Sequence, residues 1–215
     1  ITQFTRLNMN DTLIDYLASV NWSDRDVANV HAKMQPPFCY GRHRGPCRSN
    51  TRHAGVLILL RGQGVDLSVT LTKRAANLQH HASQISLPGG GVEIGESWQM
   101  AAIRETHEEI GIAPDSISVI AALEPVFVYR SNNLMFPFVA KLTDDSRGLS
   151  DDGEVDSTFV VKLSELKQGL GVYSNIAYPW KTIEVPGFRV PEGVIWGATA
   201  MVLLQLLSIL DDFTG

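Results

Sequence analysis

The sequence predicts an α/β sandwich, a mixed β-sheet held between helices. Three observations carry this. Apolar runs of strand length, at 54–60, 65–72, 116–123 and 135–142, are bounded by turn-forming residues. Helical patterns interleave with them, at 11–20, from Ser23 to about Met34, and in a charged stretch that ends at Gly111. The tail from Trp196 to Asp212 is a last, strongly apolar helix. Strands interleaved with helices stack as layers, because each element must bury its apolar face against another. At 215 residues the chain is long enough for one domain with a good core plus an extension. Residues 1–52 read as a helical extension and loop, and 53–215 as the main domain.

In chain order, Leu13, Ile14, Leu17 and Val20 recur at helical spacing behind Asp11, a capping residue. Ser23-Asp-Arg-Asp offers a capping box for a second helix, which Pro36-Pro37 ends. Residues 36–52, rich in Pro, Gly, Cys and Arg, read as a loop. Ala54–Leu60 is a buried strand and Arg61–Gly64 a hairpin turn. The alternation of Val65, Leu67, Val69 and Leu71 then returns the chain as a strand to Thr72. Lys73–Ser83 reads as loop, Gln84–Leu87 as a short strand, and Pro88–Gly91 as a sharp turn. Glu93–Glu96 leads into the charged helix, and Gly111 suits its C-terminal stop. Strands at 116–123, 135–142 and 158–161 follow, then a short helix at 164–168 and the tail helix.

Composition narrows the class. A hydrophobic content of 44% with 19% charged residues is that of a soluble globular protein. A net charge of -5 argues against a general nucleic-acid binder. The apolar stretch Ala198–Leu210 contains Gln205 and Ser208 and is too short to span a bilayer. The N-terminus, ITQFTRLN, shows no basic-then-apolar signal, which points to the cytoplasm. It also lacks a start Met, so an organelle address removed by trimming stays open. Cys39 and Cys47 flank His43, but no fourth zinc ligand is evident. They read as reduced thiols, with a loop disulfide as the alternative.

The chemistry concentrates in Arg104-Glu105-Thr106-His107-Glu108-Glu109. At about 100° per residue, Glu105, Glu108 and Glu109 share an arc of roughly 100°. Ile103, Thr106 and Ile110 fall opposite, where a core is expected, and His107 falls on that side as a packing or supporting residue. Carboxylates three and four apart repel one another, which costs a helix a few tenths of a kcal/mol each, roughly. An isolated acidic run is ordinarily a solvated helix face. A cation among the carboxylates is the alternative, and carboxylates with phosphate oxygens and water are the ligand set of Mg²⁺ or Mn²⁺.

The spacing decides between them. Gly90, five residues, Glu96, seven residues, Arg104-Glu105, two residues, Glu108-Glu109, one residue, Gly111 and an aliphatic residue resembles the 23-residue signature of the Nudix hydrolases. Every charged and glycine position is filled. Thr106 stands where the family usually has an aliphatic residue, a small packing change. The resemblance implies a Nudix fold with a mixed sheet between helices, and a metal-dependent hydrolase of diphosphates joined to another moiety. It implies Glu105, Glu108 and Glu109 as metal positions, with the Gly90 carbonyl as a further ligand. Arg104 would hold a carboxylate, Glu96 or Glu105, by a bidentate pair, although an ordinary surface pair with Glu108 is its bland role. The general base would be a helix glutamate such as Glu105 or a loop carboxylate, for which Glu154 is the candidate.

A second likeness narrows the substrate. Leu71-Thr72-Lys73-Arg74-Ala75, Leu78-Gln79-His80-His81-Ala82-Ser83-Gln84 and Leu87-Pro88-Gly89-Gly90 resemble the segment before the signature in coenzyme A diphosphatases. Asp152–Val155 and Val194–Ala200 resemble the same subfamily. Gln79 and Ser83 depart from it, standing where the subfamily has Arg and Gly. The implied reaction splits coenzyme A or its acyl derivative to 4′-phosphopantetheine and adenosine 3′,5′-bisphosphate. Lys73, Arg74 and His81 are the expected substrate contacts. Arg42, Arg44, Arg48 and Arg52 are candidates for the 3′-phosphate. ADP-ribose, NADH or a dinucleotide are the alternative substrates, and a non-catalytic nucleotide-sensing module is the alternative role. A homodimer is one assembly left open.

Overall fold

The computed structural model describes residues 13, 15–20, 26–36, 49–62, 66–75, 83–143, 153–178 and 181–214. Expectations on Asp11, Ser23, Cys39, Arg42, His43, Arg44, Cys47, Arg48, Gln79, His81 and Asp152 lie outside the described residues.

Among the described residues, eight strands form one mixed sheet: β1 (Arg52–Arg61), β2 (Ser68–Arg74), β3 (Ile85–Ser86), β4 (Gly89–Gly91), β5 (Ile117–Ala122), β6 (Val126–Val128), β7 (Asn133–Leu142) and β8 (Val155–Lys162). The order is β3-β2-β1-β7-β5, with β4 paired to β1, β6 to β7 and β8 to β2. β1 and β7 run parallel, from Arg52↔Asn133 to Leu60↔Lys141. The other pairings are antiparallel. A second, antiparallel sheet holds β9 (Leu170–Tyr178), β10 (Lys181–Val190) and β11 (Gly193–Trp196). Among the described residues, the helices seen whole are α1 (Val27–Ala32), α2 (Trp98–Ile110), α3 (Leu163–Gln168) and α4 (Gly197–Thr214). This is the mixed sheet between helices that the sequence implied.

Central position explains the composition of β1. Residues 54–60 are buried without a break, so both faces are covered and the run is continuously apolar. Val56, Ile58 and Leu60 join the larger apolar cluster with α4, while Leu57 and Leu59 pack beside Ala102 and Ile110 of α2. Gly55 sets the distance between β1 and α2. A Cβ there would collide with the Trp98 carbonyl oxygen and lie 2.9 Å from the Ala102 nitrogen. Only glycine lets the helix rest on the strand this closely.

Several elements differ from the expectation. Lys73 and Arg74 close β2 instead of opening a loop, because Lys73 pairs with Ile85 and Arg74 with Val155. Pro88–Gly91 is more than a turn, since Gly89–Gly91 pair with β1. α1 starts at Val27, where the Asp26 carboxylate accepts the Asn29 N–H at 3.1 Å. The second sheet was not anticipated. Residues 15–19 are helical, and Leu17 is buried. No described helix is long and apolar enough to cross a membrane.

Candidate active site

α2 is held firmly at both ends. Ser97 caps it, its hydroxyl accepting the Met100 N–H at 3.2 Å. Trp98 in the first turn stacks on Phe136, with ring centroids 3.6 Å apart and planes 5° from parallel. Its indole N–H donates to His53 Nδ1 at 3.3 Å. Gly111 ends the helix at φ 68°, a left-handed conformation that favours glycine, and its N–H reaches the His107 carbonyl.

Between these ends Arg104 organises the carboxylates. Its Nε and Nη2 donate to the two oxygens of Glu96 at 3.0 and 3.1 Å, a bidentate pair. Nη1 donates to Glu105 at 3.0 Å and to Glu108 at 2.9 Å. Nη2 also donates to the Gly91 carbonyl at 2.9 Å. All five guanidinium N–H donors are therefore used. The bidentate partner is Glu96, one of the two expected, and the Glu108 pair exists as well. Hydrogen bonds from Arg104 hold Glu96 below the ordinary carboxylate range. The same bonds raise the Arg104 pKa further above its already high value.

Glu105 lies directly over Gly90. A Cβ on Gly90 would collide with the Glu105 carboxylate, so glycine is required by close approach. Burial raises the Glu105 pKa against the pull of Arg104, with Glu108 and Glu154 adding to the rise.

Glu109 departs from the helical-wheel expectation. It is only 6% exposed, not part of a solvent-facing ridge. The Gly89 N–H donates to its Oε2 at 3.0 Å, and its Oε1 lies 3.9 Å from Arg74 Nη1. Arg74 Nη2 in turn donates to Glu154 at 3.1 Å. The wheel misplaced the buried arc. Ala101, Ala102, Thr106, Glu109 and Ile110 are the buried residues of α2, and they centre near Glu109. The small Ala101 and Ala102, beside Glu105 and Glu109 on the wheel, were the signal for the sheet-facing side. For the same reason His107 is exposed, not core-facing, and its Nδ1 meets the Ile112 carbonyl at 3.1 Å. Thr106 is buried as expected, its hydroxyl donating to the Ala102 carbonyl at 2.6 Å.

Two clusters thus meet at Gly89–Gly91: Arg104 with Glu96, Glu105 and Glu108, and Arg74 with Glu109 and Glu154. Strand alternation puts Arg74 on the α2 face of β2 with Thr70 and Thr72, and Lys73 on the opposite face with Val69 and Leu71. The two expected substrate cations therefore do not form one patch. Residue types alone did not single out the Gly89 N–H and the Gly91 carbonyl as partners of the acidic helix.

Among the described residues no three His, Cys, Asp or Glu side chains are gathered closely enough to hold an ion in this arrangement. The two arginines occupy the carboxylates instead. The donor chemistry nevertheless fits a hard divalent cation, because five carboxylates face two guanidinium groups and every candidate donor is oxygen.

Residues 50–180 match the NUDIX domain family, and the chain belongs to it. Nudix hydrolase 22, chloroplastic, of Arabidopsis thaliana is 41% identical over 179 residues, covering 76% of this chain and 57% of that protein. Peroxisomal coenzyme A diphosphatase ndx-8 of Caenorhabditis elegans is 36% identical over 115 residues, covering 52% of this chain and 49% of that protein. The chain spans about three fifths of the length of further plant and yeast relatives. The crystal structure of the Nudix hydrolase RenU from M. Smegmatis superposes with a TM-score of 0.51 at 16% identity, over 75% of this chain and 87% of that one, a likeness of fold alone. Nudix hydrolases generally use divalent metal ions.

Proposed function

We propose that this chain hydrolyses the diphosphate linkage of a nucleoside diphosphate derivative with Mg²⁺ or Mn²⁺, and that coenzyme A or its acyl derivative is the substrate. The observation that carries the chemistry is the pair of arginine-held carboxylate clusters around Gly90. The substrate rests on the segments around Arg74 and Glu154 that resemble coenzyme A diphosphatases, and on the similarity to ndx-8. ADP-ribose, NADH and dinucleotides are the competing substrates.

Glu105, Glu108 and Glu109, with the Gly90 carbonyl, would hold the metal. Bound there, a divalent cation offsets phosphate charge and acidifies water. Arg104 positions Glu105 and Glu108 through its hydrogen bonds, while Glu96 fixes Arg104. Glu105, set directly over Gly90 beside Glu108, takes the proton of the attacking water. Glu154 is the alternative base. It is 59% exposed and its carboxylate is engaged by Arg74. Arg74 meets the diphosphate, and His81 contributes a further substrate contact. Lys73, on the far face of β2, would contact substrate only beyond that sheet edge.

The enzyme works in the cytoplasm or, if a targeting segment precedes this chain, in an organelle. Residues 1–52 extend the catalytic domain 53–215.

A substrate panel tests the function. Initial rates with Mg²⁺ and with Mn²⁺ should give the highest kcat/KM for coenzyme A. A higher value for ADP-ribose, NADH or a dinucleotide would replace the substrate and keep the mechanism. No turnover of any of them would leave a nucleotide-sensing module.

A further inference from the structure

The two arginines of the site differ in how completely they are bonded. Arg104 uses all five N–H donors. Arg74 does not. Its Nη2 makes one hydrogen bond to Glu154, and its Nη1 stands 3.9 Å from Glu109, beyond hydrogen-bonding distance. Its Nε is buried with no hydrogen-bond partner. A buried N–H without an acceptor is costly, and native structures keep few of them.

The backbone around Arg74 is fixed. Its N–H donates to the Gln84 carbonyl at 3.0 Å and its carbonyl accepts from Ser83 at 3.2 Å. The Ala75 N–H donates to the Glu154 carbonyl at 2.9 Å. Glu109 is fixed too, through the Gly89 N–H on its Oε2. The guanidinium is thus held loosely between the anchored Glu109 carboxylate of α2 and the carboxylate of Glu154, whose backbone is fixed just before β8.

We propose that Arg74 is an internal counter-ion: it bridges Glu109 and Glu154 in the metal-free protein, competes with the divalent cation for them, and turns to the substrate diphosphate once the cation is held. This rests on the diphosphatase function proposed above. Displaced from Glu109 and Glu154, a planar fork with spare donors matches a phosphate, whose oxygens supply the acceptors that Nε lacks. The guanidinium charge released from the carboxylates is then set against the negative charge of the substrate. Metal and substrate binding are coupled through one side chain.

Arg74→Gln and Arg74→Lys test this, with folding checked by circular dichroism. The first readout is Mn²⁺ affinity without substrate, by calorimetry. Arg74→Gln should bind Mn²⁺ about fivefold to tenfold more tightly than wild type, and Arg74→Lys, which keeps the charge, should stay near wild type. The second readout is steady-state kinetics with coenzyme A. Both variants should raise KM by about tenfold or more and change kcat less, because lysine cannot reproduce the fork. Unchanged or weaker Mn²⁺ binding by Arg74→Gln overturns the counter-ion role, even if wild type turns over coenzyme A normally. If wild type binds Mn²⁺ but cleaves no diphosphate, the enzymatic function fails, and the affinity difference still decides the counter-ion role. A wild type that takes up no Mn²⁺ overturns both.

Discussion

The two faces of the central sheet solve opposite problems with the same strands. The α4 face is a continuous apolar cluster that gathers Val56, Ile58 and Leu60 of β1, Val69 and Leu71 of β2, and most of α4. Its polar exception is fully satisfied. Gln205 Oε1 accepts the Glu124 N–H at 2.8 Å, so its amide nitrogen must donate to the Glu124 carbonyl and to His31 Nε2, which accepts at 2.8 Å. The α2 face has a smaller apolar cluster, and it buries Thr70, Thr72, Thr106 and Glu109. Its charges are left with exchangeable partners. One face fixes the fold, and the other keeps five carboxylates poised around two arginines.

This contrast predicts where function and stability separate. Arg104→Gln should lower kcat/KM by about a hundredfold, because Glu105 and Glu108 lose their positioning donor. A value within threefold of wild type would show that Arg104 is only a surface pair. Gly55→Ala should destabilise the protein by roughly 1–3 kcal/mol in urea titration, since a methyl drives into the Trp98 carbonyl. Unchanged stability would mean that α2 does not rest on β1 at that contact.

On the α4 face, Gln205→Leu should cost roughly 1–3 kcal/mol by leaving the Glu124 N–H without its Gln205 acceptor and removing the bond to His31, with KM unchanged. A KM effect would break the separation of the faces. The smallest effect concerns pH. Glu96 is held below the ordinary glutamate range, so it adds stability above its unfolded pKa, and that contribution is lost as pH falls through the folded value. Glu105, raised by burial, acts in the opposite sense, its penalty relieved on protonation. Glu96→Gln should therefore flatten the acid side of the melting-temperature profile, and an unaltered acid limb would contradict the Arg104 pairing.

Elements specified by local pattern were legible from sequence. The charged helix between Glu96 and Gly111, the apolar β1 and the tail helix each carry their period and punctuation within a few residues. The second sheet was not legible. Ser174, Asn175 and Pro186 interrupt any alternation, and β9, β10 and β11 are held by pairing with one another. The burial of Glu109 was hidden because an amphipathic wheel needs to know which arc the sheet covers. The bridge from Arg74 to Glu154 joins residues 80 positions apart through a strand pairing that no local window contains.

The most direct measurement of the central claim is coenzyme A hydrolysis with Mn²⁺ by wild type and by Glu109→Gln, whose amide oxygen can still accept the Gly89 N–H and preserve the fold. Wild type should release 4′-phosphopantetheine and adenosine 3′,5′-bisphosphate, and the variant should be slower by about a hundredfold with an unchanged circular dichroism spectrum. A folded Glu109→Gln protein that hydrolyses coenzyme A at the wild-type rate would contradict the assignment of chemistry to the α2 face.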